Sequence, residues 1–272
     1  MKHPFLLSLI LCVSLHTLCA QEVTTTDGQV LKSSSIRRTG ATIMVKVTTP
    51  EGSAIEMGLP ASRIVKVAFP EPPELAKAQA AAASANAAEV LNLTGDYVGR
   101  EAELKDLPGS WWPEMARLRL LALAGAGKDA DAAALAREIG SLKSPDADSL
   151  SRGGTLFANL SSGEKEAVVV GAGALPRIGG GQGSALARLA LGRILLAKKD
   201  YPGALRAFLT IKVFYPSVTL LQPAALLGAA QAYVGLKDEK RAAAALKDLS
   251  ENYPSSPLFL EAKKMSETLS KP

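Results

Sequence analysis

The chain repeats itself over its last third at an offset of 38 residues. The two copies align without a gap, residue for residue in size or role: Asp200 with Asp238, Ala204 with Ala242, Phe208 with Leu246, Pro216 with Pro254, Leu189 with Leu227, Gly192 with Ala230, and Leu195 with Tyr233. An internal repeat constrains the fold strongly, because one structural unit must pack against a copy of itself.

Each aligned position has a physical reason in a pair of antiparallel helices. Asp200 and Asp238 are predicted N-caps, whose carboxylates accept hydrogen bonds from the free amides of a helix start. Small residues such as Ala204 are needed where two helices approach closely. The prolines at 216 and 254 stop the second helix, since proline cannot continue it.

These residues resemble the tetratricopeptide repeat family, whose pattern runs Leu-Gly, an aromatic residue or Leu, Ala, a large apolar residue and a terminal Pro. The clearest copies are 184–217 and 222–255, followed by a predicted capping helix at 256–269. A degenerate copy keeps Asp129, Ala133 and Pro145 at the offsets of Asp200, Ala204 and Pro216. The usual tryptophan of the first helix is absent, and the period exceeds the typical value of about 34 residues. The resemblance implies an α-solenoid that binds other proteins through its concave face.

Residues 71–272 as a whole are rich in Ala and Leu and are predicted to be helical. Gly, Pro or Asp interrupts at most boundaries and gives short paired helices, predicted at 75–93, 97–105, 113–126, 130–142, 146–160, 163–173, 184–198, 201–214, 220–235, 239–251 and 256–269. The fold class expected for the chain is therefore mainly α.

The residue pattern of 21–70 differs from the Ala- and Leu-rich pattern of the rest of the chain and predicts a small antiparallel β module. In 42–49 Ile43, Val45 and Val47 fall on one face and Met44, Lys46 and Thr48 on the other, and residues 63–69 alternate in the same way through Val65, Val67 and Phe69. With turn signals about every dozen residues, four strands are expected near 29–37, 41–48, 53–60 and 63–69. The texture resembles an SH3-like barrel. The proline-rich stretch 69–75 closes the module.

The first twenty residues have the layout of a secretory signal peptide. Lys2 precedes an apolar run over 5–15 that is too short to span a membrane comfortably, and cleavage is expected after Ala20. Acylation at Cys19 and an uncleaved anchor are alternatives. An exported protein, periplasmic or secreted, without a further membrane span is the expectation.

Residues 21–272 contain no Cys and no His, since Cys12, Cys19, His3 and His16 all precede them. A mature chain of this composition has no disulfide, no zinc or copper site built on thiolate or imidazole, and no nucleophilic site that requires His. The 31 basic and 26 acidic residues are interspersed, so nucleic acid is not an expected partner. We predict no catalytic residue, no metal site and no cofactor.

One segment imitates a functional motif. The glycine-rich segment 168–183 has Gly171 and Gly173 after three valines, but Pro176 stands where a dinucleotide fingerprint needs its third glycine. We predict a flexible connection between helix pairs there.

Trp111 and Trp112 are adjacent, so one is expected to pack and the other to stay partly exposed, where it could anchor a partner. The carboxylates expected on solvated helix faces are Glu101, Glu103, Glu114 and Glu138.

The function predicted from these features is a non-enzymatic adaptor that binds cell-envelope proteins. The resemblance extends to exported bacterial tetratricopeptide proteins, namely outer-membrane-assembly and Tol-Pal-associated periplasmic factors. One alternative is a cell-wall or glycan-binding factor acting through the β module, although Phe69 is the only aromatic residue in 21–70. A second alternative is an enzyme that uses two carboxylates.

Overall fold

A computed structural model describes residues 21–49, 52–162, 164–176 and 181–270. The predicted signal peptide lies outside these residues. The described chain divides into two compact units. The first contains the residues up to Pro70 together with Leu107–Gly109, and the second contains Glu71–Asp106 and Ser110 onward. The sequence predicted a single boundary at residue 70 and did not assign residues 107–109 to the first unit.

The first unit is one antiparallel sheet of five strands. The strands are β1 (Gln21–Thr25), β2 (Val30–Thr39), β3 (Thr42–Thr48), β4 (Ala54–Pro60) and β5 (Ile64–Ala68). Their order in the sheet is β4-β3-β2-β1-β5, so β4 and β5 form the two edges. The sequence predicted four strands and missed β1, which pairs with both β2 and β5.

The short connection between the two edge strands requires the sheet to curl. A flat sheet of five strands would separate its edges by about 19 Å, at about 4.8 Å per strand. Only the 3-10 turn Ala61–Arg63 joins β4 to β5, and a link of that length spans at most about 14 Å. The sheet of the first unit is therefore strongly curved.

The inner face of this sheet follows the predicted alternation in β3 but not in β5. Ile43 and Val45 are fully buried, as predicted. In β5 the buried residues are Ile64 and Val67, whereas Val65 is 54% exposed. The pairing of β1 with β5 shifts register between Thr24 and Thr25, and this irregularity turns Ile64 inward in place of Val65.

The segment Leu107–Gly109 covers the outer edge of β5. Val67 donates its amide to the carbonyl of Pro108 at 2.8 Å, and Leu107 is buried. Gly109 has φ +96°, and a Cβ at that position would overlap the carbonyl oxygen of Val67. The edge is thus occupied by this unit's own chain, which protects one row of backbone groups from pairing elsewhere.

The second unit is helical. Its helices are α1 (Leu75–Ala83), α2 (Ala87–Arg100), α3 (Trp112–Gly125), α4 (Asp129–Ile139), α5 (Pro145–Thr155), α6 (Ala158–Ser162), α7 (Lys165–Gly173), α8 (Gly181–Ala197), α9 (Tyr201–Phe214), α10 (Gln222–Gly235), α11 (Glu239–Asn252) and α12 (Phe259–Leu269). Short 3-10 turns lie at 102–104 and 219–221.

Four helix pairs turn through the same backbone corner. The pairs are α1–α2, α3–α4, α8–α9 and α10–α11, and their corners are centred on residues with positive φ: Ala85, Gly127, Lys199 and Lys237. In each corner this residue's amide donates to the carbonyl three residues back, and the next amide donates to the carbonyl five residues back. This is the Schellman arrangement of a helix C-terminus. The two clear copies and the degenerate copy found in the sequence therefore share this corner with one further helix pair, α1–α2.

The corners correct two predictions. The predicted single helix 75–93 divides at Ala85, because alanine propensity cannot reveal a corner that only tertiary packing imposes. In the degenerate copy the N-cap is Lys128, one residue before the predicted Asp129. Asp129 is instead the first helical residue, and its carboxylate forms an ion pair with Arg193 of α8. Arg193 also donates to the carbonyl of Ala124 at the end of α3.

The two predicted N-caps of the clear copies are confirmed. The Asp200 carboxylate accepts a hydrogen bond from the amide of Gly203, and the Asp238 carboxylate accepts one from the amide of Arg241, each at 3.0 Å.

We expect Asp200→Ala and Asp238→Ala each to lower the free energy of unfolding by about 1 kcal/mol, and the two losses to add. Denaturant unfolding followed by circular dichroism measures this. Asp131→Ala, in the first turn of α4 but not at its cap, is the matched control; a loss of the same size there would contradict the capping argument.

Helices α8, α9 and α10 meet around one phenylalanine. Phe208 of α9 is 1% exposed and lies beside Gly192 of α8 and Gly228 of α10. A Cβ on Gly192 would stand 2.5 to 2.8 Å from three ring carbons, and one on Gly228 would overlap the same ring. The small residue that the repeat pattern places at 192 thus makes room for the large residue at 208.

The segment 219–221 adds contacts that a strictly linear stack of repeats lacks. It lies before α10 but contacts α1 and α3. The Thr219 hydroxyl donates to the carbonyl of Ala82 in α1. At Gly125, the last residue of α3, a Cβ would overlap the carbonyl oxygen of Leu220. The N-terminal helices α1 and α3 are therefore in direct contact with the segment that leads into α10. None of the described helices is both long enough and apolar enough to cross a bilayer.

Candidate functional site

A cavity of about 290 Å³ lies among the first helices of three hairpins. It is bordered by residues of α1, α3 and the start of α8, and it is closed on one side by the segment 217–220. Its apolar lining comes mainly from Ala82, Leu118, Leu121, Val218 and Leu220.

A row of four polar side chains crosses this cavity. The guanidinium of Arg117 binds Glu114 through two nitrogens, with Nε 2.8 Å from Oε2. It donates a further hydrogen bond of 3.0 Å from Nη1 to Oε1 of Gln182. Gln79 reaches the same carboxylate from α1, with Nε2 3.5 Å from Oε1 of Glu114. One ion pair is thereby held between amides from two other helices.

The hydrogen bonds from Arg117 lower the pKa of Glu114 below its ordinary value, against the opposing effect of partial burial. The carboxylate is therefore ionised at neutral pH and compensated by its cation. Such a pair is suited to accepting and donating hydrogen bonds from a fixed position, and unsuited to giving up a proton. With two amides and an apolar floor, the cavity can hold an apolar side chain while its rim binds the polar main chain of a peptide.

The low pKa of Glu114 gives a pH-dependent contribution to stability. It is fully present above the unfolded pKa of about 4.5 and is lost as the pH falls through the lower folded pKa. We expect Glu114→Gln to be less stable than the wild type at pH 7 and to lose less stability between pH 6 and pH 3. The measurement is urea unfolding across that range. Glu89→Gln, at an exposed site in the first turn of α2, is the control; identical pH curves for both variants would contradict the assignment.

A second cavity, of about 580 Å³, shares Arg117 and Gln182 with the first. Its other lining residues belong to the start of α5 and the start of α8, among them Asp146, Ser149 and Gly183. Gly183 and Gly153 are essential to this border, because a Cβ on either would overlap backbone of the other helix. Arg117 and Gln182 therefore line both cavities.

The predicted arrangement of the two tryptophans is confirmed. Trp112 is fully buried and its indole Nε1 donates to the carbonyl of Val98 at 2.8 Å, with the Lys105 ammonium 5.3 Å from the ring centroid. Trp111 is half-buried against the core. Its role as an anchor for a partner stays a prediction.

Of the four carboxylates that we expected on solvated helix faces, one is exposed and three are half-buried. Glu103 is exposed, whereas the half-buried ones each meet a cation: Glu101 with Arg100, Glu114 with Arg117, and Glu138 with Lys105. Among the described residues no group of three or more acidic side chains could hold a metal ion.

The glycine-rich imitation of a dinucleotide site is helical where a strand is required. Val168–Val170 lie within α7, as the helix predicted at 163–173 requires. The four residues 177–180, which include part of the predicted flexible connection, lie outside the described chain. A dinucleotide fingerprint needs a strand before its glycines, and this segment does not supply one.

Sequence reasoning missed the polar row as a site. The row consists of Gln79, Glu114, Arg117 and Gln182, which come from three different helices, and each looks like an ordinary polar residue on a helix. The one available signal was location, since all four fall on first helices of the hairpins. No protein-family model, no curated protein and no solved structure matches this chain.

Proposed function

We propose that this protein is an exported, non-enzymatic adaptor that binds a protein of the cell envelope through the first-helix cavity. The observation that carries this proposal is the polar row of Gln79, Glu114, Arg117 and Gln182 over an apolar floor. Side-chain amides and a compensated ion pair are suited to a peptide main chain, and a cavity of about 290 Å³ accommodates one large apolar side chain. Export rests on the composition of residues 1–20.

The architecture we propose is an SH3-like β module followed along the chain by a tetratricopeptide-like solenoid. Four helix pairs with one common corner support the solenoid, and so do the confirmed caps at Asp200 and Asp238. The strand order β4-β3-β2-β1-β5, with a 3-10 turn between the edge strands, supports the SH3-like interpretation. A rigid first-helix face reduces the ordering cost of binding on the adaptor side.

The glycan-binding alternative has less support. Sugar recognition commonly relies on exposed aromatic faces, and Phe69, the only aromatic residue of the β module, is half-buried.

Site-specific cross-linking tests the adaptor function. A photoreactive amino acid replaces Ala83, which is exposed and borders the cavity, or Ala88, which is exposed on α2 away from it. In envelope extract of the source cells, we expect residues 21–272 to form a discrete protein adduct from position 83 and little from position 88. The double variant Gln79→Ala/Gln182→Ala should weaken the adduct at position 83 at least fivefold. Equal adducts at both positions, or recovery of peptidoglycan alone, would overturn the proposal.

A further inference from the structure

Strand β4 is an edge strand whose outer backbone groups have no partner among the described residues. The amide of Thr49 donates to the carbonyl of Ser53, and the pairing of β3 with β4 continues from this bonded pair without a shift of register. Bonded and non-bonded pairs alternate along an antiparallel ladder. The odd-numbered residues of β4 therefore bond to β3, whereas three residues direct their amides and carbonyls outward: Ala54, Glu56 and Gly58.

The outer edge of β4 lacks the features that commonly block an exposed edge, namely lysine, proline and a bulge. The strand contains no lysine, and its one proline is its last residue, Pro60. Its pairing with β3 is regular, whereas the β2–β3 and β1–β5 pairings each shift register. The other edge of the sheet, β5, is already covered by segment 107–109. One edge is thus closed, and the other is open to a further strand.

The inner face of the sheet is also incomplete along β4. Leu59, Met57 and Ile55 lie on the same face as the buried Ile43 and Val45, with which the first two pair. Leu59 is 6% exposed, Met57 is half-buried, and Ile55 is 48% exposed. The apolar layer is therefore closed at the end of β4 and open at its start. A strand added at this edge with apolar residues on the same face would cover Ile55.

A second copy of β4 fits this edge in one antiparallel register. When a two-fold axis passes at Met57, Glu56 of each copy exchanges both backbone hydrogen bonds with Gly58 of the other. The amide of Ala54 then donates to the carbonyl of Pro60 in the other copy. Because this is the last pair of the ladder, the amide hydrogen that proline lacks removes no bond from its centre.

The side chains are complementary in the same register. On the inner face Met57 lies opposite Met57, and Ile55 of each copy lies opposite Leu59 of the other, so apolar side chains meet only apolar ones. On the outer face Glu56 lies beside a glycine. Its carboxylate is already compensated, because Arg37 binds it through two hydrogen bonds of 3.0 Å.

Neighbouring registers are less favourable. An axis at Glu56 would set the two Glu56 side chains directly opposite each other, and like charges at that position are destabilising. An axis at Ile55 would set Gly58 against Gly52, where φ is +84° and β4 has not yet begun. An axis nearer to Pro60 would bring its missing amide into the central pairs. The sequence of β4 is therefore self-complementary about Met57.

We propose that this protein forms a two-fold symmetric dimer in which β4 strands of two copies pair antiparallel about Met57. A ring or filament made by pairing β4 with β5 of the next copy is disfavoured, because segment 107–109 occupies that edge. The contact is small for a dimer, so self-association is expected at micromolar concentrations and above. The dimer does not depend on what the first-helix cavity binds.

Single cysteines test the register, because residues 21–272 contain none. In the proposed dimer the two Met57 Cα atoms lie about 4.5 Å apart, within the range of a disulfide, and the two Ile55 Cα atoms lie at least about 13 Å apart. We expect Met57→Cys to form a disulfide-linked dimer of residues 21–272 on air oxidation, and Ile55→Cys to form little. Non-reducing electrophoresis measures both. Equal yields, or the reverse order, would overturn the proposed pairing.

Sedimentation velocity over a series of concentrations tests the dimer without a cross-link. We expect residues 21–272 to dimerise, and Ile55→Lys to weaken the dimer at least tenfold, because the lysine would lie against Leu59 of the other copy. Val65→Lys is the matched control, since Val65 is 54% exposed on β5 and should leave dimerisation unchanged. Circular dichroism verifies that both variants are folded. The proposal is overturned if the wild type is a monomer at every concentration, which would leave the edge to a strand of another protein, or if both lysine variants dimerise alike.

Discussion

Replacing Phe208 with alanine is expected to lower the free energy of unfolding by about 3–5 kcal/mol. The ring is buried where three helices meet, and its neighbours include two glycines whose backbones are fixed within their own helices. These helices cannot collapse into the space without breaking other contacts, so a cavity remains. Urea unfolding of residues 21–272, followed by circular dichroism at 222 nm, measures the loss.

The matched control for this variant is Phe214→Ala. Both phenylalanines belong to α9, but Phe214 is 48% exposed and its truncation should change stability by less than about 1 kcal/mol. Gly192→Ala sharpens the test, because its methyl group clashes with the ring only while the ring is present. We expect Gly192→Ala to destabilise the wild type but to be neutral or stabilising in the Phe208→Ala background. Additive losses would contradict the proposed packing.

Trp112→Ala is expected to have an effect of similar size, again about 3–5 kcal/mol. The indole is fully buried, and its Nε1 satisfies the carbonyl of Val98, one of the last four carbonyls of α2. These carbonyls have no donor within their own helix. The variant therefore creates a cavity and also leaves a buried acceptor without its hydrogen bond.

The adjacent tryptophan is the control for that experiment. Trp111 is half-buried, so Trp111→Ala should cost clearly less than Trp112→Ala in the same urea titration. Trp112→Phe should fall between them, since it retains most of the apolar contact and loses only the hydrogen bond and part of the ring. If both alanine variants lost the same free energy, the contrast between a core and a peripheral tryptophan would be wrong.

The repeat and its caps could be predicted from sequence because their signals are local. Asp200, Ala204 and Pro216 stand at fixed spacings whose reasons apply within one hairpin. Strand β1 was missed because its five residues contain a single large apolar side chain, Val23, which gives no alternation to detect. Its partners on both sides establish it as a strand.

The features that could not be predicted from the sequence depend on contacts between distant parts of the chain. Ala85 has φ +55°, which alanine does not favour, and only the packing of α1 against α2 explains the corner there. The polar row needs α1, α3 and α8 to meet, and no local pattern predicts which polar residues will face one another. The candidate site was thus predictable by its helices but not by its residues.

The contacts of segment 219–221 also have a consequence for how the helical unit unfolds. An array with contacts between neighbours alone can open one repeat at a time from an end. Here the hydrogen bond from Thr219 to Ala82 closes a loop of 137 residues, and Leu220 lies against the end of α3. Opening the first hairpin must therefore disturb the approach to α10, so hydrogen exchange in α1 and α10 should report one shared opening event and not two independent ones.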